Sequence, residues 1–250
     1  MIPSNMSKFL DDLKWQIEAG IDEAISELPL NFSEDNIKSE DSIKKENKKT
    51  ENISSTNIDQ LKNFNHLYEY LTNSIDCELK NISKNLNKIQ GNLNSKIMII
   101  TNIPSPEEDK EGKVLVGKRY DLFINILSSI NLSLDSICYT PVIPWKTPGE
   151  RDLNEVEIDL LLPFIKKQIE IINPKILIFL GADPLKYILQ KDDGILNSRG
   201  SFLHYKSNES TIPCLPILAP DFLMRRPEYK RETWNDLIML SEKIKELNLQ

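Results

Sequence analysis

The sequence predicts an α/β fold, a three-layer α/β/α sandwich built on a central four-stranded parallel sheet. Two observations carry that expectation. Four short apolar runs, at 96–101, 136–143, 175–180 and 214–218, have the length and β-branched content of buried strands. Stretches with helical apolar spacing separate them, and strands covered on both faces by crossover helices read as near-continuous apolar runs. A chain of 250 residues can hold one such core with extensions.

Taken in order, the chain divides into three parts. In residues 1–30, Phe9, Leu10, Leu13, Ile17, Ile21, Ala24 and Ile25 recur at helical spacing over 6–28, and Pro29 closes the run. Such an amphipathic helix either packs on its own domain or docks a protein partner. Residues 31–58 are dominated by Lys, Glu, Asn and Ser and keep no apolar period, so a disordered polar linker is expected there. Residues 59–250 form the main domain. Leu61, Phe64, Leu67 and Leu71 predict a helix over 59–88, ahead of the first strand. A loop rich in proline and acid follows that strand, then a helix over 117–130 and the second strand. The helix at 154–172 starts on Asn154 as its cap, and Pro174 marks the turn into the third strand. That strand ends at Gly181 and leads into another helix. The fourth strand carries Pro216, which cannot donate to a ladder and favours an edge or a strand end. A helix over 228–247 closes the domain.

Charge and cysteine usage narrow the function classes. A net charge of -7 excludes a protein that coats nucleic acid generally, while a local basic patch can still grip phosphates. Three widely spaced cysteines, Cys77, Cys138 and Cys214, fit reduced thiols in a cytoplasmic protein better than a disulfide framework. No apolar run is long enough to span a membrane and the N-terminus lacks a signal-peptide core, so no membrane partner is expected.

The densest chemical signal lies at 212–227. Ala219-Pro220-Asp221 leaves the carboxyl end of the fourth strand, where open α/β sheets place their ligand sites. Phe222-Leu223-Met224 is an apolar run followed at once by Arg225 and Arg226. Two readings stay open: a wedge that enters a duplex while the guanidinium groups hold phosphates, or core residues followed by solvated arginines. The two histidines are His66 and His204, and His204 lies just after Arg199-Gly200, from where it could approach the ligand end of the sheet.

Several motifs share an order and spacing. They are Pro104-Ser105-Pro106-Glu107-Glu108-Asp109-Lys110-Glu111-Gly112 with Val116-Gly117; Pro148-Gly149-Glu150-Arg151; Leu180-Gly181; Arg199-Gly200; and Pro220, Phe222-Leu223, Arg225, Pro227, Trp234 and Asp236-Leu237. From about residue 74 onward this set resembles the family 4 uracil-DNA glycosylases. The resemblance implies uracil excision from DNA, with the nucleotide rotated out of the stack into a pocket. It implies a base pocket at Pro104, Leu115 and Pro141, and DNA contacts from Arg199, Gly200, Phe222, Leu223, Arg225 and Arg226.

The sequence departs from the family at the chemical positions. The acid of the first signature falls on Asn102, its last glycine on Ser105 and the stacking phenylalanine on Leu115. The uracil-reading asparagine falls on Pro141, and the histidine of the second signature on Ala219. Ala219 cannot stabilise an anionic base as it leaves, and removing one such donor costs about 10² to 10³ in rate. Asn102 can orient water but is no carboxylate base; Glu108 and Asp109 are the acids near enough in sequence to stand in. Whether the chain is an enzyme is therefore open, and the expectation is a DNA-binding relative with uracil excision weakened or lost. The alternatives are an active glycosylase for uracil or another deaminated base, and a non-enzymatic interaction module. The family's four-cysteine iron–sulfur cluster would fall on Ser74, Cys77, Trp145 and Leu161, so no cluster and no other cofactor is expected.

Overall fold

The computed structural model describes residues 58, 60–191, 193–208 and 210–249. The helix expected at 6–28, with any protein partner it would serve, and the linker up to 57 lie outside the described residues. Ile58 is buried in the core, so the domain reaches back at least one residue beyond its expected start.

Six strands form one sheet: β1 (Gln90–Gly91), β2 (Ile97–Thr101), β3 (Cys138–Pro141), β4 (Ile176–Leu180), β5 (Leu203–Lys206) and β6 (Thr211–Ile217), in the order β1-β3-β2-β4-β6-β5. The four expected strands are its parallel centre, with Ile99 opposite both Tyr139 and Ile178, and Ile178 opposite Leu215. The sheet is wider than expected because an antiparallel strand is added at each edge, β1 on β3 and β5 on β6. Neither edge strand has an apolar run: β1 has two residues, and β5 alternates exposed His204 and Lys206 with buried Tyr205. Pro216 is tolerated in β6 because β5 pairs only with Thr211 to Cys214, so at Pro216 the strand has a neighbour on one side.

The period-2 alternation of strand side chains divides the core between two faces. Met98, Ile100, Leu177, Phe179 and Cys214 enter one cluster, and Ile97, Ile99, Ile176, Ile178, Leu215 and Ile217 enter the other. The first face is covered by α1 (Phe64–Ser74), α2 (Glu78–Ile82), α5 (Glu155–Ile172) and α6 (Ala182–Leu189) through residues such as Leu67, Leu79, Phe164, Ile169 and Tyr187. The second is covered by α4 (Gly117–Ser128) and α9 (Lys230–Glu246) through Phe123, Leu127, Leu237, Leu240 and Ile244. Helices on both faces of one sheet give the expected three layers. Where a single helix was expected over 59–88, α1 and α2 are separated by an extended turn at Ile75–Cys77. Asn154 caps α5 as expected, accepting the Glu157 N–H at 2.8 Å while the Glu157 carboxylate accepts the Asn154 N–H at 2.9 Å.

Three short helices complete the domain: α3 (Pro106–Glu111), α7 (Gly194–Ser198) and α8 (Pro220–Arg225). Among the described residues no helix is long and apolar enough to cross a membrane.

Candidate active site

A cavity of about 190 Å³ opens at the carboxyl ends of β2, β4 and β6, lined by Thr101, Leu180 and Ala219 and by the loops that follow each strand. This is where an open parallel sheet places its ligands, because the strand-to-helix loops diverge there.

After β2, Ser105 starts α3 with a reciprocal cap that involves Glu108. The Glu108 carboxylate accepts the Ser105 N–H at 2.7 Å and the Leu115 N–H at 2.6 Å, so both oxygens shape the loop wall. Leu115 has φ of 56°, a conformation a leucine holds only where its surroundings impose it. Asp109, fully buried, accepts the Lys84 N–H at 2.9 Å and the Asn85 N–H at 3.2 Å, and Lys146 lies 3.5 Å from its other oxygen. It points into the body of the domain and does not line the cavity.

After β4, Gly181 turns the chain into α6 at φ of 118°. A Cβ there would lie 2.0 Å from Asn102 Oδ1, so only glycine lets the Asn102 side chain cross the turn. The Asn102 Oδ1 accepts the Asp183 N–H at 3.1 Å, capping the first turn of α6 from outside the helix. In return, Asp183 Oδ2 accepts the Ile103 N–H at 2.9 Å. Burial pushes the Asp183 carboxyl above the ordinary carboxylate range, against the pull of the Ile103 N–H and the Lys186 charge.

After β6, Ala219 presents no polar group, and Asp221 and Arg225 on α8 pair at 3.2 Å at the cavity edge. The far wall carries Glu150, Arg151 and Asp152. Arg151 makes a two-pronged bond to Glu157 at 2.6 and 2.7 Å, which holds the Glu157 carboxyl below its usual range. Asp152 is likewise lowered by Lys186, 2.7 Å away.

The structure thus brings Asn102, Pro104, Leu115, Glu108, Ala219 and Arg225 to one cavity. Pro141, assigned to the base pocket, is buried at the end of β3 and does not line it. Arg199 is not placed for phosphate contact: its guanidinium bonds Asp236 at 2.8 Å and the Glu232 carbonyl, which ties it to α9. Leu223 is core, with only 2% of its surface exposed, so it is unavailable as a wedge. Phe222 is half-buried with its ring 5.4 Å from that of Tyr229, whereas Met224, Arg225 and Arg226 are exposed. Gly200 is exposed with φ of 77°. His204 lies opposite Pro213, because β5 runs antiparallel to β6 and carries the histidine away from the ligand end. Sequence reasoning missed Asp183 and Arg119 among the lining residues; an acid two residues after a strand-ending glycine was the available signal for Asp183.

The sequence model of the uracil DNA glycosylase superfamily matches residues 89–238. The chain belongs to this superfamily. It is 31% identical over 176 residues to the type-4 uracil-DNA glycosylase of Sulfurisphaera tokodaii, covering 68% of this chain and 78% of that one. Against the type-4 uracil-DNA glycosylase of Saccharolobus solfataricus the identity is 30% over 171 residues, covering 66% and 79%. A DNA polymerase of Bacillus phage SP01 is 26% identical over 164 residues, 65% of this chain but 17% of that protein.

Within the superfamily, the iron–sulfur cluster implied by the family 4 resemblance can be tested on the donors present. Cys77 is buried and burial pushes its thiol up, so the thiolate a cluster needs is disfavoured. Trp145 and Leu161, at two further ligand positions, are buried in the same apolar cluster as Cys77, and Ser74 is exposed at the end of α1. One thiol beside an indole and an isobutyl group does not fit a four-thiolate cluster.

Proposed function

We propose that this protein is a cytoplasmic, DNA-binding member of the uracil-DNA glycosylase superfamily in which conventional uracil excision is weakened or lost and no iron–sulfur cluster is bound. The observation that carries the reading is that Asn102 and Ala219 line the same cavity at the strand ends. Uracil departs as an anion, and a methyl group at Ala219 offers that charge nothing. Asn102, where the family resemblance has an acid, spends its carbonyl oxygen on the Asp183 N–H. Glu108 and Asp109 offer little relief, since each accepts two backbone N–H groups that hold loops together. The relatives' names supply DNA as the partner, and exposed Arg225 and Arg226 beside the half-buried Phe222 supply a rim for it.

The test is base release from single- and double-stranded oligonucleotides carrying one uracil, with binding to the same strands measured in parallel. Salt-sensitive binding without uracil release is expected. Brisk uracil release would overturn the reading.

A further inference from the structure

The charges around the cavity do not balance, and the excess is negative. Its three guanidinium groups already have carboxylate partners. Arg119 lies 3.9 Å from both Glu107 and Glu108, Arg151 is bound to Glu157, and Arg225 to Asp221. Asp183 and Glu150, which line the same cavity, have no cation within ion-pair distance among the described residues. Asp183 sits beside the apolar Leu180 and Ala219 positions, at the strand ends where desolvation strengthens electrostatic interactions.

Such a pocket repels an anion forming inside it and attracts a cation. We propose that the cavity takes a DNA base bearing a formal positive charge, an N-alkylated purine, with Asp183 as the carboxylate that faces it. This rests on the reading of the cavity as the base pocket of a DNA-binding protein. The chemistry accounts for what the pocket lacks. When the C1′–N bond of an N-alkylated purine breaks, its electron pair moves onto the base and cancels the positive charge, so the base leaves neutral. No group at Ala219 is needed to stabilise it. The sugar is left as an oxocarbenium ion, water adds to C1′, and that water's proton passes to the Asp183 carboxylate and on to solvent. The products are a neutral alkylated base, an abasic sugar and a proton. For uracil the same bond cleavage leaves an anion facing Asp183, which is unfavourable twice over: no donor, and a like charge nearby.

The full chain is tested on oligonucleotides carrying one 7-methylguanine, one uracil or only unmodified bases, reading base release by chromatography and affinity by fluorescence anisotropy. Release of 7-methylguanine at least about tenfold above the protein-free rate is expected, with uracil left in place. Asp183→Asn, which keeps an oxygen for the Ile103 N–H, is expected to bring that release down to the protein-free rate. Tighter binding of wild-type protein to the methylated strand than to the unmodified one is expected as well, and this needs no variant. Equal binding to all strands with release at background overturns the substrate class while leaving the DNA-binding reading intact. Undiminished release by a folded Asp183→Asn overturns the role of that carboxylate. No binding to any strand at low salt overturns both readings.

Discussion

The Asn102 side-chain oxygen accepts the Asp183 backbone N–H at 3.1 Å, directly across Gly181. This amide thereby caps the helix and ties the end of β2 to the start of α6. Asn102→Ala should destabilise the domain by about 1 kcal/mol, the usual value of a lost cap, and leave DNA affinity unchanged. Urea unfolding beside an anisotropy titration reads both quantities. If Asn102→Ala instead abolished a measurable turnover without loss of stability, Asn102 would be catalytic.

Arg225 and Arg226 are exposed at the rim proposed to meet DNA phosphates. Their carboxylate partners, Asp221 at 3.2 Å and Glu228 at 3.6 Å, belong to exposed pairs that contribute little and exchange readily. Removing both arginines should weaken binding across all sequences and lower the slope of log affinity against log salt by about one for each phosphate left ungripped. An unchanged slope in the double alanine variant would move the DNA rim elsewhere.

Arg199 should behave in the opposite way. Its partner Asp236 is buried, and burial pushes that carboxyl upward even with the guanidinium alongside. Arg199→Ala strands a carboxylate inside the domain, which typically costs about 3 to 5 kcal/mol. Chemical denaturation should show that loss, while the salt slope of DNA binding by the folded fraction stays as in wild type.

These contrasts show where the sequence was legible. The four central strands were readable because burial on both faces leaves an unbroken apolar run, as in Ile97-Met98-Ile99-Ile100. The edge strands were not, since β5 needs only Tyr205 turned inward and β1 is two residues long. Motif spacing brought Asn102, Leu115 and Ala219 to one cavity, because adjacent parallel strands present their carboxyl ends, and the loops that leave them, on the same edge of the sheet. It could not say which arginine is free. Arg199 and Arg225 both sit in arginine-containing motifs, and only tertiary contact with Asp236 separates them. Leu223 failed as a wedge for a related reason: its place on α8 turns it toward the core, and the neighbouring Met224 toward solvent.

Where the family resemblance implies a cluster, Trp145 fills space. It is 3% exposed and shares a core cluster with Cys77 and Leu161. Trp145→Ala should cost about 3 to 5 kcal/mol through lost burial and the cavity left behind. Anaerobically purified wild-type protein should contain no iron and show no visible absorption band. A stoichiometric iron content, lost in Cys77→Ala, would reverse the reading of this region.

The Glu157–Arg151 pair makes a prediction about acid. The guanidinium holds the Glu157 carboxyl below its ordinary value, so the folded state favours the ionised form more than the unfolded chain does. The resulting stabilisation is complete above the ordinary glutamate value and is lost as pH falls through the lowered one. Glu157→Gln should therefore melt at a lower temperature than wild type at pH 7, with the gap closing steadily on acidification below the ordinary value. Asp183 and Asp236 carry the opposite sign, since burial raises both; their contributions weaken stability as pH rises through their folded values. Melting curves of wild type and Glu157→Gln across the acid range separate the two effects, because only the first disappears in the variant. A gap that persisted undiminished at the acid end would mean that the cost of Glu157→Gln does not come from the charge on Glu157, and that its attraction to Arg151 contributes nothing to the fold.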